Sequence, residues 1–181
     1  MPNFDIDSYR ANFQGGARQY LFYVKPSFPA GIALADTNIA TYLVRTSTLP
    51  ETTHEEIMTQ WQGFDYKFAG KYTYADWTIT FNVDSGADIQ RMFANWMSLI
   101  HDPTTNMYST PATYTADQQI ELLGFDSKPI LKYKLINAWP KSMATATLDY
   151  SSNDVVQFDV TWSYTYHVID KGTYGKAVTF A

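Results

Sequence analysis

The sequence predicts a mainly β protein, a β-sandwich or barrel with one flanking α-helix. Two long segments, Asp154–Val168 and Tyr72–Val83, alternate between bulky apolar and small polar residues, which is typical of strands with one buried face. One segment after Ser85 has apolar residues at helical spacing. Turn-forming residues separate several further short segments, as in sandwiches.

The N-terminal third begins with a polar stretch, residues 1–18, which we expect to be a flexible or partner-ordered arm. A first strand is predicted over Gln19–Lys25, because Pro26 cannot donate to a strand ladder. A second strand is predicted over Ile39–Thr48 from its alternation, before Leu49-Pro50 ends it.

Residues 51–70 show no clean period, although they are rich in large apolar side chains. Twenty residues exceed the usual connection between strands, and long apolar loops are normally functional or bound to a partner. We therefore expect an extended inter-subunit loop; the alternative is a hairpin folded back over the domain's own core. The candidate contact residues are Ile57, Met58, Trp61, Phe64, Tyr66 and Phe68.

The predicted helix follows the second alternating segment. Ser85 is the expected N-cap, with Asp88 three residues later. Pro103 sets the expected end of the helix near His101. A single apolar stripe predicts that the helix covers one side of a β core, through Ile89, Met92, Phe93, Trp96, Leu99 and Ile100.

The C-terminal half begins with a polar loop, residues 103–117. Two strands, Gln118–Phe125 and Ile130–Asn137, are predicted to form a hairpin around a four-residue turn. A short strand is expected over Thr145–Tyr150. The extension 170–181 ends in apolar residues, which indicate a packed contact.

The polar faces of the two alternating segments lack the Lys and Glu that usually solubilise a free sheet surface. We therefore expect these polar faces to lie against another molecule in the assembled protein. The residues concerned are Gln157, Asp159, Thr161, Ser163 and Thr165 on one segment, and Asp76, Thr78, Thr80 and Asn82 on the other.

Composition indicates one domain, 1–181, with an unusually aromatic and lightly charged surface. The chain has 181 residues, of which 17% are aromatic and only 17% are charged. Interfaces are enriched in Tyr, Trp and Met and depleted in Lys and Glu, so this composition favours a protein that is buried against partners. A Tyr-rich β domain without partners is the alternative.

Several functional classes are disfavoured by charge and residue content. A net charge of -5 without any basic run argues against nucleic acid as a bound ligand. The absence of cysteine excludes disulfides and thiol chemistry. The start has no signal-peptide pattern, and no apolar run is long enough to span a membrane, so we expect a soluble cytoplasmic product without membrane contact.

Catalytic motifs are not found in the sequence. His54, His101 and His167 are scattered without metal-ligand spacing, and the nucleotide-binding and nucleophile-elbow patterns are missing. We therefore expect neither an enzyme nor a cofactor. A carbohydrate-binding module would also suit exposed aromatics on a β-sandwich, but most aromatic residues here alternate onto core faces.

Three runs, taken in order and spacing, resemble the tail tube proteins of contractile-tailed bacteriophages of the T-even type. They cover roughly residues 18–168. The runs are Thr48-Leu-Pro50; Tyr74-Ala-Asp-Trp-Thr-Ile-Thr-Phe81 with Phe93-Ala-Asn-Trp96; and Ala138-Trp-Pro140 with Leu148-Asp-Tyr-Ser-Ser-Asn-Asp154 and Gln157-Phe-Asp-Val-Thr-Trp162.

The resemblance implies a structural protein of the virion tail, assembled in the host cytoplasm. Six copies would form a ring, rings would stack into a tube, and the sheets of all six would join into an inner β-barrel through which DNA passes. Implied partners are the tail sheath, baseplate, tape-measure and tail-terminator proteins. Related tubes occur in bacteriocins and secretion-type injection machines, which is the alternative assignment.

A DNA conduit requires a wall that does not bind phosphate, since each Lys or Arg adds a contact. The polar faces of both alternating segments have this character, and either one is a candidate for the lumen. Lys132 and Lys134 argue against the face of their own strand. Under this interpretation the apolar residues of 51–70 are inter-subunit or inter-ring anchors.

Overall fold

A computed structural model describes residues 5–32, 36–144 and 148–170. Within these ranges there are four helices and eleven strands. The helices are α1 (Ile6–Phe13), α2 (Thr37–Tyr42), α3 (Asp88–Ile100) and α4 (Pro111–Tyr114). The strands are β1 (Phe22–Lys25), β2 (Val44–Ser47), β3 (Thr52–Trp61), β4 (Phe64–Tyr74), β5 (Trp77–Asn82), β6 (His101–Asp102), β7 (Met107–Tyr108), β8 (Ala116–Leu123), β9 (Pro129–Met143), β10 (Gln157–Ser163) and β11 (Tyr166–Asp170).

The main sheet has the strand order β1-β8-β9-β10-β5-β2, and β11 also pairs with β9. All of these pairings are antiparallel. The long strand β9 joins two parts of the sheet, since its first part pairs with β8 and β11 and its last part pairs with β10. The predicted mainly β fold is confirmed, and the sheet of a single chain is not closed into a barrel.

The core lies between α3 and the inner face of β5 and β10. The ring of Phe93 on α3 is at its centre, 5.0 Å from the ring of Phe81 and 5.8 Å from that of Trp162. The predicted apolar stripe is buried at Ile89, Met92, Phe93 and Trp96, which confirms the flanking helix. Other fully buried aromatic residues include Trp77.

The start of α3 differs from the sequence prediction. The capping carboxylate belongs to Asp84, which accepts hydrogen bonds from the N–H groups of Gly86 (3.2 Å) and Ile89 (3.1 Å), so the predicted Ser85 cap is wrong by one residue. Ala87 takes a left-handed conformation (φ 53°), which delays the first helical residue to Asp88.

Two predicted strands are interrupted by local structure. In Ile39–Thr48 the first residues belong to α2, because the Asp36 carboxylate accepts from the N–H groups of Asn38 and Ile39 and caps a helix there. In Tyr72–Val83 the segment divides at residues 75–76 into the end of β4 and the whole of β5.

The long predicted strand Asp154–Val168 is divided into β10 and β11, and the buried face changes between them. Phe158, Val160 and Trp162 are buried, whereas in β11 the buried residue is His167 and the predicted core residues Tyr166 and Val168 are exposed. The change lies opposite Asn137 of β9, which has a positive φ of 53°. We call this break, at which the buried face changes, the corner; period-2 alternation cannot anticipate it.

Other predicted segments also differ. Residues 103–117 contain β7 and α4 and are therefore not a continuous loop, the arm 1–18 contains α1, and β9 continues through Trp139-Pro140 to Met143. In the predicted strand Thr145–Tyr150, residues 145–147 lie outside the described residues and 148–150 are not in a strand. Residues 171–181 of the predicted extension also lie outside them.

Phe93→Ala tests the aromatic core. Removing a buried ring leaves a cavity among rings that cannot collapse fully, so we expect the free energy of unfolding to fall by about 3–5 kcal/mol. Urea unfolding of the monomer measures it. Ser98→Ala on the exposed side of α3 is the matched control, expected within about 0.5 kcal/mol of wild type. Equal losses in both variants would contradict the packing described.

His167→Phe tests the corner. His167 is 8% exposed and its ring lies 5.2 Å from that of Tyr74 and 5.4 Å from that of Tyr133; burial lowers its pKa. The unfolded chain therefore binds more protons than the folded chain below about pH 6.5. The free energy of unfolding should decrease as the pH is lowered, by at most about 1.4 kcal/mol per pH unit. Urea titrations from pH 7.5 to 5.5 should show a smaller decrease in His167→Phe; an unchanged slope would contradict this.

Candidate functional site

The two polar faces predicted as separate candidates lie on one face of one sheet. In the register of β5 and β10, Asn82 is opposite Gln157, Thr80 is opposite Asp159, and Thr78 is opposite Thr161. Residues directly opposite each other in an antiparallel pair point to the same side. The aromatic residues between them point to the core. The sequence left open which of the two strands faces the lumen. In the structure both strands contribute to the same surface, so the two candidates are one.

Hydrogen bonds between side chains hold this surface together. The Thr46 hydroxyl of β2 donates to Thr80 Oγ1 at 2.9 Å, and Thr80 Oγ1 donates to Asp159 Oδ1 at 2.6 Å. Ser142 of β9 lies opposite Thr161 and extends the surface by one more strand. We call this surface the polar face; it spans β2, β5, β10 and the end of β9. Thr46 and Ser142 were not among the predicted residues, although both are small polar residues in the alternating pattern.

The remaining predicted residues of this group lie at the margin. Asp76, just before β5, forms an ion pair with Lys141, with 2.7 Å between Lys141 Nζ and Asp76 Oδ2. Ser163 is opposite Trp139 at the end of β10. Thr165 lies in the break between β10 and β11, where its N–H donates to the carbonyl of Ile136 at 3.1 Å. Thr165 is therefore separated from the polar face.

The lysines that argued against a lumen role lie in the other part of the sheet. Lys132 Nζ is 3.1 Å from Glu121 Oε1, and Lys134 Nζ is 2.9 Å from Asp117 Oδ2. Both ion pairs join β8 to the first part of β9. The sheet thus separates a part that carries these lysines from the centre of the polar face, which carries no Lys or Arg.

The segment predicted as an extended loop, 51–70, forms a β-hairpin. Strands β3 and β4 pair from Thr52 opposite Tyr74 to Trp61 opposite Phe64. Gln62 and Gly63 form the two-residue turn, with φ angles of 48° and 82°, as type I′ turns require. The alternation is interrupted because Met58 and Ala69 place apolar residues on the second face, and because Gly70 and Lys71 of β4 form a bulge opposite Glu55.

The hairpin has one strongly apolar face. Ile57 is opposite Phe68 and Trp61 is opposite Phe64, so these four share a side with Tyr66. Met58, opposite Lys67, lies on the other side. All six predicted contact residues are 51–78% exposed. The alternative prediction is right that the segment is a hairpin and wrong that it folds over the domain's own core. We call the side of Ile57, Trp61, Phe64, Tyr66 and Phe68 the hairpin apolar face.

The described ranges also bear on two other classes, metal-binding and membrane-spanning proteins. There, no group of three or more His, Asp or Glu residues is placed to hold a metal ion. No helix among residues 5–32, 36–144 and 148–170 is long and apolar enough to cross a membrane.

Comparison with known proteins places this geometry in a family. A family model described as phage tail tube protein matches residues 17–170. The tail tube protein gp19 of Enterobacteria phage T4 is 26% identical over 166 residues, which cover 89% of this chain and 98% of the relative, and gp19 of phage T6 gives the same values.

Solved structures of other assemblies share this fold. The sheath-tube complex of an extracellular contractile injection system has a chain with a TM-score of 0.65 and 15% identity, covering 92% of this chain and 98% of that chain. The tube-terminating cap of the anti-feeding prophage has a TM-score of 0.64 and 17% identity, covering 86% and 91%. With the match over residues 17–170, the chain belongs to the phage tail tube protein family.

Proposed function

We propose that this protein is a non-enzymatic structural subunit of a phage tail tube, in which six copies form a ring and stacked rings form a hollow conduit for DNA. The observation that carries the proposal is the polar face, four strands wide, whose other side is a buried aromatic core. A polar sheet surface on a firm core suits the wall of a water-filled channel.

The chemistry of the polar face suits the passage of DNA without binding. Its centre carries Thr and Asp side chains, and Asp159 is held by the hydroxyl of Thr80. Lys141, at the margin, is neutralised by Asp76. Because cations supply most of the affinity for phosphate, such a wall does not retain DNA. The net charge of -5 per chain adds repulsion.

The hairpin apolar face supplies a contact to a neighbouring subunit or to the next ring. Four of its five residues are aromatic, and each aromatic side chain buries about 150–250 Å² when covered. At their present exposure, the five side chains offer on the order of 600 Å², which is most of the roughly 800 Å² per partner of a stable interface. Covering this face would stabilise a stack of rings.

Further partners and location follow from family membership and the resemblance. We propose that the tail sheath, baseplate, tape-measure and tail-terminator proteins contact the tube, and that it is assembled in the host cytoplasm without membrane contact. Solved relatives were determined as a sheath-tube complex and as a tube-terminating cap. A bacteriocin or secretion-type machine is the alternative, but at 15–17% identity that likeness concerns the fold.

Replacing two residues of the hairpin apolar face tests the stacking contact. Trp61→Ser with Phe64→Ser, a pair directly opposite each other beside the turn, should leave the monomer folded and abolish filaments in negative-stain microscopy. Gln60→Ser with Asp65→Ser changes the adjacent pair on the other side and should leave the filaments intact. Filaments formed by the first variant at wild-type protein concentration would contradict the contact.

Thr161→Lys tests the wall. One new cation per subunit on the polar face adds phosphate contacts around the bore, so we expect tubes of normal appearance but slower DNA ejection and lower infectivity. Thr161→Gln, of similar length but neutral, should behave as wild type. If Thr161→Lys virions are as infective as Thr161→Gln virions, Thr161 does not line the channel.

A further inference from the structure

The polar face ends at two strand edges that have no strand partner in the described residues. On one side, β2 pairs with β5 alone. On the other side, β8 pairs with β9 only as far as Ala138, so the last residues of β9 are paired with β10 and with no second strand. Residues Lys141, Ser142 and Ala144 are exposed on this edge.

The backbone groups that point outward from each edge can be identified from the hydrogen bonds that point inward. The Thr48 N–H donates to the carbonyl of Thr78 at 3.3 Å, and the Ala144 N–H donates to the carbonyl of Asp159 at 2.8 Å. Backbone groups alternate in direction along an antiparallel strand. The N–H and C=O groups of Ser47 on β2 and of Met143 on β9 therefore point away from the sheet.

The number of strands in the polar face fixes the orientation of any contact between copies. Its four strands, β9, β10, β5 and β2, alternate in direction, so the two edge strands run in opposite directions. When copies are related by rotation about a common axis, β2 of one copy meets β9 of the next in antiparallel orientation. Such a contact uses two different edges, and heterologous contacts of this kind form a ring when the rotation between copies closes.

We propose that the seam between neighbouring subunits is an antiparallel pairing of β2 with the end of β9, in which Ser47 exchanges backbone hydrogen bonds with the neighbouring copy's Met143. This inference rests on the proposed function, because it presupposes a ring of copies. In this register Thr48 lies opposite Ser142, and Thr46 lies opposite Ala144. The polar face then continues without a gap from one subunit to the next.

Two irregular positions limit this pairing to a short stretch. The register shifts at Arg45 in β2 and at Lys141 in β9. In the proposed register these positions lie at opposite ends of the seam, so the two cations do not meet. Bulges and cations on edge strands also discourage unspecific pairing, which explains how a free subunit avoids open-ended aggregation through these edges.

A disulfide tests the register directly, because the chain contains no cysteine. Thr48→Cys and Ser142→Cys are combined in one chain; both positions are exposed. Within a chain they are separated by three strand spacings, about 14 Å, so they cannot be bridged. Between copies they form a pair without direct backbone bonds, in which the side chains approach most closely.

The expected result, after assembly and mild oxidation, is loss of most of the monomer band on a non-reducing gel and a ladder of linked chains that a reductant removes. Thr78→Cys with Ser142→Cys is the control, because Thr78 lies on the inner strand β5; it should remain monomeric. If the first pair prevents assembly, Thr46→Cys with Ala144→Cys tests the same register.

The failure of the seam is distinguishable from the failure of the proposed function. Rings visible by electron microscopy in which neither cysteine pair forms linked chains would overturn the seam alone. Wild-type protein that forms no rings or tubes at any concentration would overturn both the seam and the proposed function.

Discussion

The structure depends on one constraint, the packing of aromatic rings between α3 and the strand pair β5–β10. The rings of Phe81 and Trp162 each lie within 6 Å of the ring of Phe93, and all three are buried. Period-2 alternation means that anchoring one side of a strand also determines its other side. The firm core therefore fixes the positions of the small polar residues that form the polar face.

Sequence reasoning succeeded where one local rule governs a whole element. The alternation of β5 and β10 and the stripe of α3 were visible because each face has one environment. It failed where a short-range or long-range interaction overrides the pattern. The Asp36 cap converts the start of a predicted strand into α2, and the corner at Asn137 exchanges the buried and exposed faces of β11. Pairing register, which unites both halves of the polar face, cannot be read from periodicity.

Two features of the surface, the edges of the polar face and the hairpin apolar face, have no explanation within a single chain. The polar face has no Lys or Arg at its centre and, within the described residues, ends at two edges without a further strand partner, while the hairpin apolar face exposes four aromatic side chains. Joining the sheets of neighbouring copies gives the backbone groups of both edges hydrogen-bond partners, and burying the aromatic side chains stabilises a stack of rings. The assembly that we propose, a ring joined at sheet edges and a column of rings joined by hairpins, would account for both features and would leave the polar face lining the centre.

The most direct measurement is a cryo-EM map of the tube formed by purified protein, at a resolution that traces side chains. We predict a bore lined by Thr78, Thr80, Asp159 and Thr161, with the ion pairs of Lys132 and Lys134 away from the bore. A tube whose bore is lined by those lysines, or by the hairpin apolar face, would contradict the account.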